Sequence, residues 1–229
     1  MSVVACWARV LVLLAAAAWS SPAATQDPPV WRGYATLASS YSFRGVLLRD
    51  APAWRLGAER QSRGWTIGAW AAGVDRAWPY ERADAGWLAG AYAARDGGCG
   101  EHCRWRATVS RYVYPGSEPG GWSEASFSAR WSERFGLQSA YARHDAPARG
   151  TSRTLELFVA QPLPQHVDAT LTLGSSDYER FGYRYTELDL VRAWPRWSVL
   201  LGARHGQIRP PQARVRSDTR LVTELSVAF

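Results

Sequence analysis

Leu221-Val-Thr-Glu-Leu-Ser-Val-Ala-Phe229 decides the fold. Leu221, Leu225, Val227 and Phe229 fall in one alternating phase, and Val222, Glu224, Ser226 and Ala228 in the other. A period of two with one apolar and one mostly polar face is a β-strand. A soluble sandwich could end on such a strand, but it would leave a Phe bare at the carboxylate. A strand closing a membrane barrel has a use for that aromatic, because the lipid face of such a barrel ends in an aromatic girdle.

Upstream, no segment keeps a helical period. Alternating runs of eight to twelve residues are instead followed by turns rich in Gly, Pro, Asp or Ser. They predict strands at 33–44, 53–62, 65–74, 84–95, 104–114, 122–131, 135–144, 152–161, 167–175, 183–192, 197–205 and 218–229. The fold class expected is all-β: a transmembrane, antiparallel, up-and-down β-barrel of about 12 strands, an even number as in bacterial outer-membrane barrels. Short connections (Ser62–Gly64, Ser132–Arg134, Ala193–Arg196) alternate with longer ones (Asp75–Ala83, Pro115–Gly121, Asp145–Thr151, Gly206–Ser217). Asp96–Cys103 breaks the alternation, being long where a tight turn is due.

One phase gathers the apolar residues: Ala35, Leu37, Tyr41 and Phe43, then Trp65 and Ile67, Val109, Phe127, Leu171 and Leu173, and Val199 and Leu201. Trp65, Trp105, Trp131, Trp197 and Phe229 fall at one height, as an interfacial belt requires. Tyr41, Phe43, Trp54 and Tyr141 would mark the opposite rim.

The first 24 residues read as a cleavable signal peptide: Arg9, an apolar run from Val10 to Trp19, then small residues. Residues 25–32 follow as an N-terminal periplasmic segment, and 33–229 as the barrel. The expected location is the outer membrane. The net charge of +7 comes entirely from Arg, since the 229 residues include no Lys. No nucleic-acid motif accompanies it, so anionic headgroups are the partner that chemistry favours.

Three runs, Ser39-Ser-Tyr-Ser-Phe-Arg-Gly45, Trp70-Ala-Ala-Gly-Val-Asp75 and Tyr112-Val-Tyr-Pro-Gly116, resemble the TorF family of porins, the Gcw-type proteobacterial outer-membrane proteins. The likeness runs from about Gly33 to Phe229. It implies an outer-membrane barrel with pore activity, and supplies no catalytic residue and no substrate. The Cys99/Cys103 turn and the Arg-rich loops depart from that pattern.

The polar phase, which begins with Thr36, Ser40, Ser42 and Arg44, would line the lumen. Arg55, Glu59, Arg106, Glu124, Arg130, Glu187 and Asp189 are the candidates for a constriction or plug, a charge-balanced set able to cross-link itself in a narrow barrel. Arg209, Arg214 and Arg216 are candidates for a lipopolysaccharide-facing loop, because guanidinium forks match phosphate. The other expected partners are outer-membrane lipids, small solutes, and the barrel-assembly machinery engaging the strand that ends in Phe229. Gly98-Cys-Gly-Glu-His-Cys103 reads as a disulfide between Cys99 and Cys103 in an oxidising compartment, with a metal site including His102 and Glu101 as the rival. No cofactor and no catalytic residue is expected. A lipid hydrolase would need His144 or His205 beside Ser139 or Ser198, which their phases do not bring together.

Overall fold

The computed structural model describes residues 28–77, 81–82, 86–115, 121–145, 150–179, 181–209 and 216–229. The signal peptide expected at 1–24 therefore lies outside the described residues.

The wall of the molecule is a closed antiparallel barrel of twelve strands. In chain order these are β1 (Val30–Ala38), β4 (Ala53–Ser62), β5 (Trp65–Gly73), β8 (Trp87–Gly98), β9 (Cys103–Val113) and β10 (Gly121–Trp131), followed by β11 (Phe135–His144), β12 (Thr151–Leu163), β13 (Val167–Tyr178), β14 (Gly182–Ala193), β15 (Trp197–Arg209) and β16 (Arg216–Ala228). Two small ribbons sit in the connections: β2 (Tyr41–Phe43) with β3 (Val46–Arg49), and β6 (Arg76–Ala77) with β7 (Glu81–Arg82). Each strand pairs with its sequence neighbours in the wall, and β16 returns to β1.

That closing seam rests on the segment that decided the fold. Tyr34↔Ala228 through Ala38↔Glu224 are in register, and Phe229 and Gly33 exchange backbone hydrogen bonds of 2.7 and 3.0 Å. A side chain at Gly33 would meet the Phe229 ring, so the glycine leaves room for the terminal aromatic.

Side-chain alternation makes the wall an inside-out protein. Leu37, Ile67, Val109, Phe127, Leu157, Leu173, Leu201 and Leu225 all stand exposed on the outer surface. Between them in sequence, Thr36, Thr66, Glu124, Thr154, Ser176 and Arg204 are buried inside. An apolar exterior around a polar interior is stable when the surrounding solvent is lipid, and closure leaves no strand edge in it. Trp65 and Trp197 open their strands, and Trp105 stands two residues into β9, at the end where Trp131 closes β10 and Phe229 follows β16, with Trp31 and Phe135 beside them. Tight turns gather at this end. Arg63 and Gly64, for example, have φ of 51° and 73°, the left-handed pair that a two-residue hairpin needs.

Three expectations need correction. The first strand was expected over 33–44, but β1 leaves the wall at Ala38, where Ser39 and Ser40 bend the chain inward. Tyr41 and Phe43 therefore belong to β2 inside the barrel and not to an outer rim: Tyr41 is buried, and Phe43 packs against the interior cluster. Their alternation with β1 was real, but it continued across a break in the strand. Secondly, Val30, Trp31 and Arg32 pair with Gln61, Arg60 and Glu59, so the barrel begins inside the segment expected to precede it. Thirdly, Asp96–Gly98 still pair with Arg106–Arg104, which leaves only a four-residue turn before Cys103. The apparent exception was a strand carried through two glycines.

Candidate functional site

The hairpin β2–β3 is the feature that distinguishes this barrel from an empty one. Its turn is Arg44-Gly45, with φ of 49° and 74°. Gly45 suits the left-handed position, and its carbonyl approaches β15 so closely that a Cβ on Gly206 would lie 2.7 Å from it. The arms Tyr41-Ser-Phe43 and Val46-Leu-Leu48 carry the hairpin into the lumen. There Tyr41, Val46 and Leu48 bury themselves against Ala72, Val74, Leu88 and Tyr114. Leu48 is only 1% exposed. Phe43 meets the Tyr112 and Trp122 rings at 5.8 and 6.1 Å, and Trp70 meets Tyr112 at 6.0 Å. The three sequence runs that carry the family resemblance thus converge at this one place.

Charge fastens the tip. Arg44 donates from both terminal nitrogens to the Glu124 carboxylate, at 2.6 and 2.7 Å, and the Gly45 N–H donates to Glu187 Oε1 at 3.0 Å. Arg204 stands behind, 3.6 Å from Glu187 and hydrogen-bonded to Asp189. Beside the hairpin lies a cavity of about 450 Å³, bounded on the wall by Tyr34, Arg55, Glu156, Leu200 and Glu224. Basic and acidic groups share its lining. Such a chamber has room for hydrated ions or a small polar solute, and its mixed charge gives no strong preference for one sign.

Of the residues expected at a constriction, Glu124, Glu187 and Asp189 meet around the hairpin tip. Arg55 faces the cavity, with Glu224 at 3.6 Å and the Tyr34 ring under its guanidinium at 5.8 Å. The other three lie apart. Glu59 accepts hydrogen bonds from the Tyr92 hydroxyl at 2.6 Å and from Gln61 at 2.8 Å. Arg106 is held by Asp96 at 2.7 and 3.0 Å, near the tight-turn end. Arg130 stands exposed at that same end, 3.4 Å from Glu133. Strand phase carries no information on which of these side chains face each other across the lumen.

Sequence reasoning placed Arg44 in the lumen but missed its role at a turn. Part of the signal was present: Gly45, a turn residue, stands between the short runs Tyr41–Phe43 and Val46–Leu48. Arg204 and the Tyr185–Glu156 hydrogen bond were not foreseen as partners of the site.

Arg214 lies outside the described residues, and of Arg209 and Arg216 only the backbone is described, so the loop expectation is untouched. At the loop end of the barrel, Arg111 donates to Asp145 at 2.7 and 2.5 Å, and these bonds hold the Asp145 carboxyl below the usual carboxylate range. At the tight-turn end, Cys99 and Cys103 form a disulfide with Cα atoms 4.9 Å apart. Of the histidines weighed for hydrolysis, His144 is inside, 3.3 Å from Ser152 and covered, while Ser139 faces outward. His205 is exposed and bonded to Thr219 at 2.7 Å, whereas Ser198 lies in the inward phase.

No protein-family model matches the chain, and no curated protein does. Solved structures do. The KdgM porin aligns with a TM-score of 0.56 at 10% identity, over 87% of this chain and 98% of that one. KdgM in complex with disordered oligogalacturonate gives 0.52 at 10% identity, over 87% and 98%. The NanC porin gives 0.54 at 8%, over 87% and 99%. At these identities the likeness establishes a shared fold, a closed barrel matched over almost the whole length of each porin.

Proposed function

We propose that this protein is an outer-membrane porin, a narrow channel for ions or small polar solutes whose bore is set by the hairpin β2–β3. The observation that carries the reading is the charge-lined cavity of about 450 Å³ beside that hairpin, within a barrel whose outer wall is apolar. The porin folds of KdgM and NanC support it. The TorF resemblance supports it too, because its three runs build the part of the lumen that narrows the path. In this reading the tight-turn end faces the periplasm and the loop end the outside, as in other outer-membrane barrels. Loop arginines meet lipopolysaccharide phosphates, and the strand ending in Phe229 is the segment presented to the assembly machinery. KdgM has been seen with an oligogalacturonate. A short anionic saccharide is accordingly one solute to try here, although the balanced lumen does not favour anions.

The test is single-channel recording of the refolded mature protein in a planar bilayer under a salt gradient. Discrete small steps with weak ion selectivity are expected. A folded barrel that never conducts would favour the second reading, a structural barrel plugged by its hairpin, for which the buried cluster around Leu48 speaks.

A further inference from the structure

The hairpin is fastened in two places, and the fastenings differ in kind. At its root they are apolar and backbone contacts. Tyr41 and Leu48 are buried, Ser39 N–H donates to the Thr223 carbonyl at 2.9 Å, and Asp75 N–H donates to the Leu48 carbonyl at 2.9 Å. At its tip, beside the packing of Phe43 and Val46, the polar contacts reaching the far wall among the described residues are made to two carboxylates: the fork of Arg44 on Glu124 and the Gly45 N–H on Glu187. Between root and tip the ribbon is weak. It has three paired positions and a register slip between Tyr41 and Ser42.

A forked guanidinium–carboxylate contact is geometrically demanding, so it is made or lost as a unit. Once the tip leaves, water entering the adjoining cavity can hydrate both charges, whereas deleting one partner strands the other in a poorly hydrated place. Such a joint has two arrangements and little between them. We propose that the hairpin is a gate latched by Arg44 on Glu124, with Glu187 as a second catch that Arg204 holds in place. Release of the latch moves the tip off β10 and β14 and opens the cavity toward the loop end, while the root stays seated. This inference rests on the channel reading and adds its regulation.

The experiment compares open fraction in planar bilayers for the wild type, Glu124→Gln, Arg44→Gln, the exchanged pair Arg44→Glu/Glu124→Arg, and a barrel with residues 41–49 replaced by a short Gly-Ser linker. Folding of each is checked by heat-modifiable gel mobility. Either single substitution is expected to raise the open fraction by about tenfold or more, since each leaves a buried charge without its partner. The exchanged pair is expected to restore most of the closed state, and the excised barrel to stay open without transitions. Should both single variants gate like the wild type while the excised barrel conducts freely, the latch is wrong and the channel stands. An excised barrel that conducts no more than the wild type removes the gate altogether. A folded excised barrel that stays silent removes the channel reading itself.

Discussion

Leu48 shows how much a single residue can carry here. Outside the hairpin it would be one more apolar residue of a barrel sequence; inside, it is among the most buried side chains described. Truncation removes contacts on all sides and leaves a cavity. Leu48→Ala should therefore cost about 2–5 kcal/mol if the hairpin unfolds with the barrel, and much less if it opens on its own. Urea unfolding in detergent gives the first quantity. Proteolysis near Gly45 under native conditions would reveal the second, as cleavage appearing well before global unfolding. Arg44 fell in the lumen phase of the strand expected over 33–44, although that strand ends at Ala38 and Arg44 sits in a turn. Its attachment to Glu124, eighty residues away, was not legible, because the chain between them passes through four wall strands.

At the scale of elements, the wall was readable and the connections less so. Strand alternation is enforced residue by residue by lipid on one side and water on the other, so it survives in the sequence as a period. A hairpin that folds inward keeps the same period with its faces reassigned, which is why Tyr41 and Phe43 looked like rim aromatics. The Cys99–Cys103 turn illustrates the opposite case. Its length was misread because Gly97 and Gly98 resemble turn residues, yet Gly97 is in a strand and leaves room for the ring of Trp105. The disulfide closes a loop of about five residues, which by loop entropy contributes about 2 kcal/mol. Reduction, or Cys99→Ser with Cys103→Ser, should lower the unfolding free energy by that amount, read as a fall in the urea midpoint, and leave conductance unchanged. A change in conductance would mean that this turn takes part in the pore.

For the whole molecule the test is one of sides. Leu171 faces outward from β13, and Thr172, its neighbour, faces inward opposite Glu187. Leu171→Arg should destabilise the protein by about 2–4 kcal/mol in lipid, whereas Thr172→Arg should cost far less, because the lumen offers water and a carboxylate. Equal penalties in liposome-based unfolding would contradict an apolar exterior and a wet interior.

The sequence by itself determined the number of wall strands, which face of each meets lipid, and the seam at Phe229. All three follow from a local period imposed by the surrounding solvent. Only the tertiary structure decided that the lumen is occupied, which carboxylates hold the hairpin tip, and which expected lumen charges stand apart from it. Those facts depend on distances across a closed ring. Closure brings together residues whose separation along the chain carries no trace of their contact.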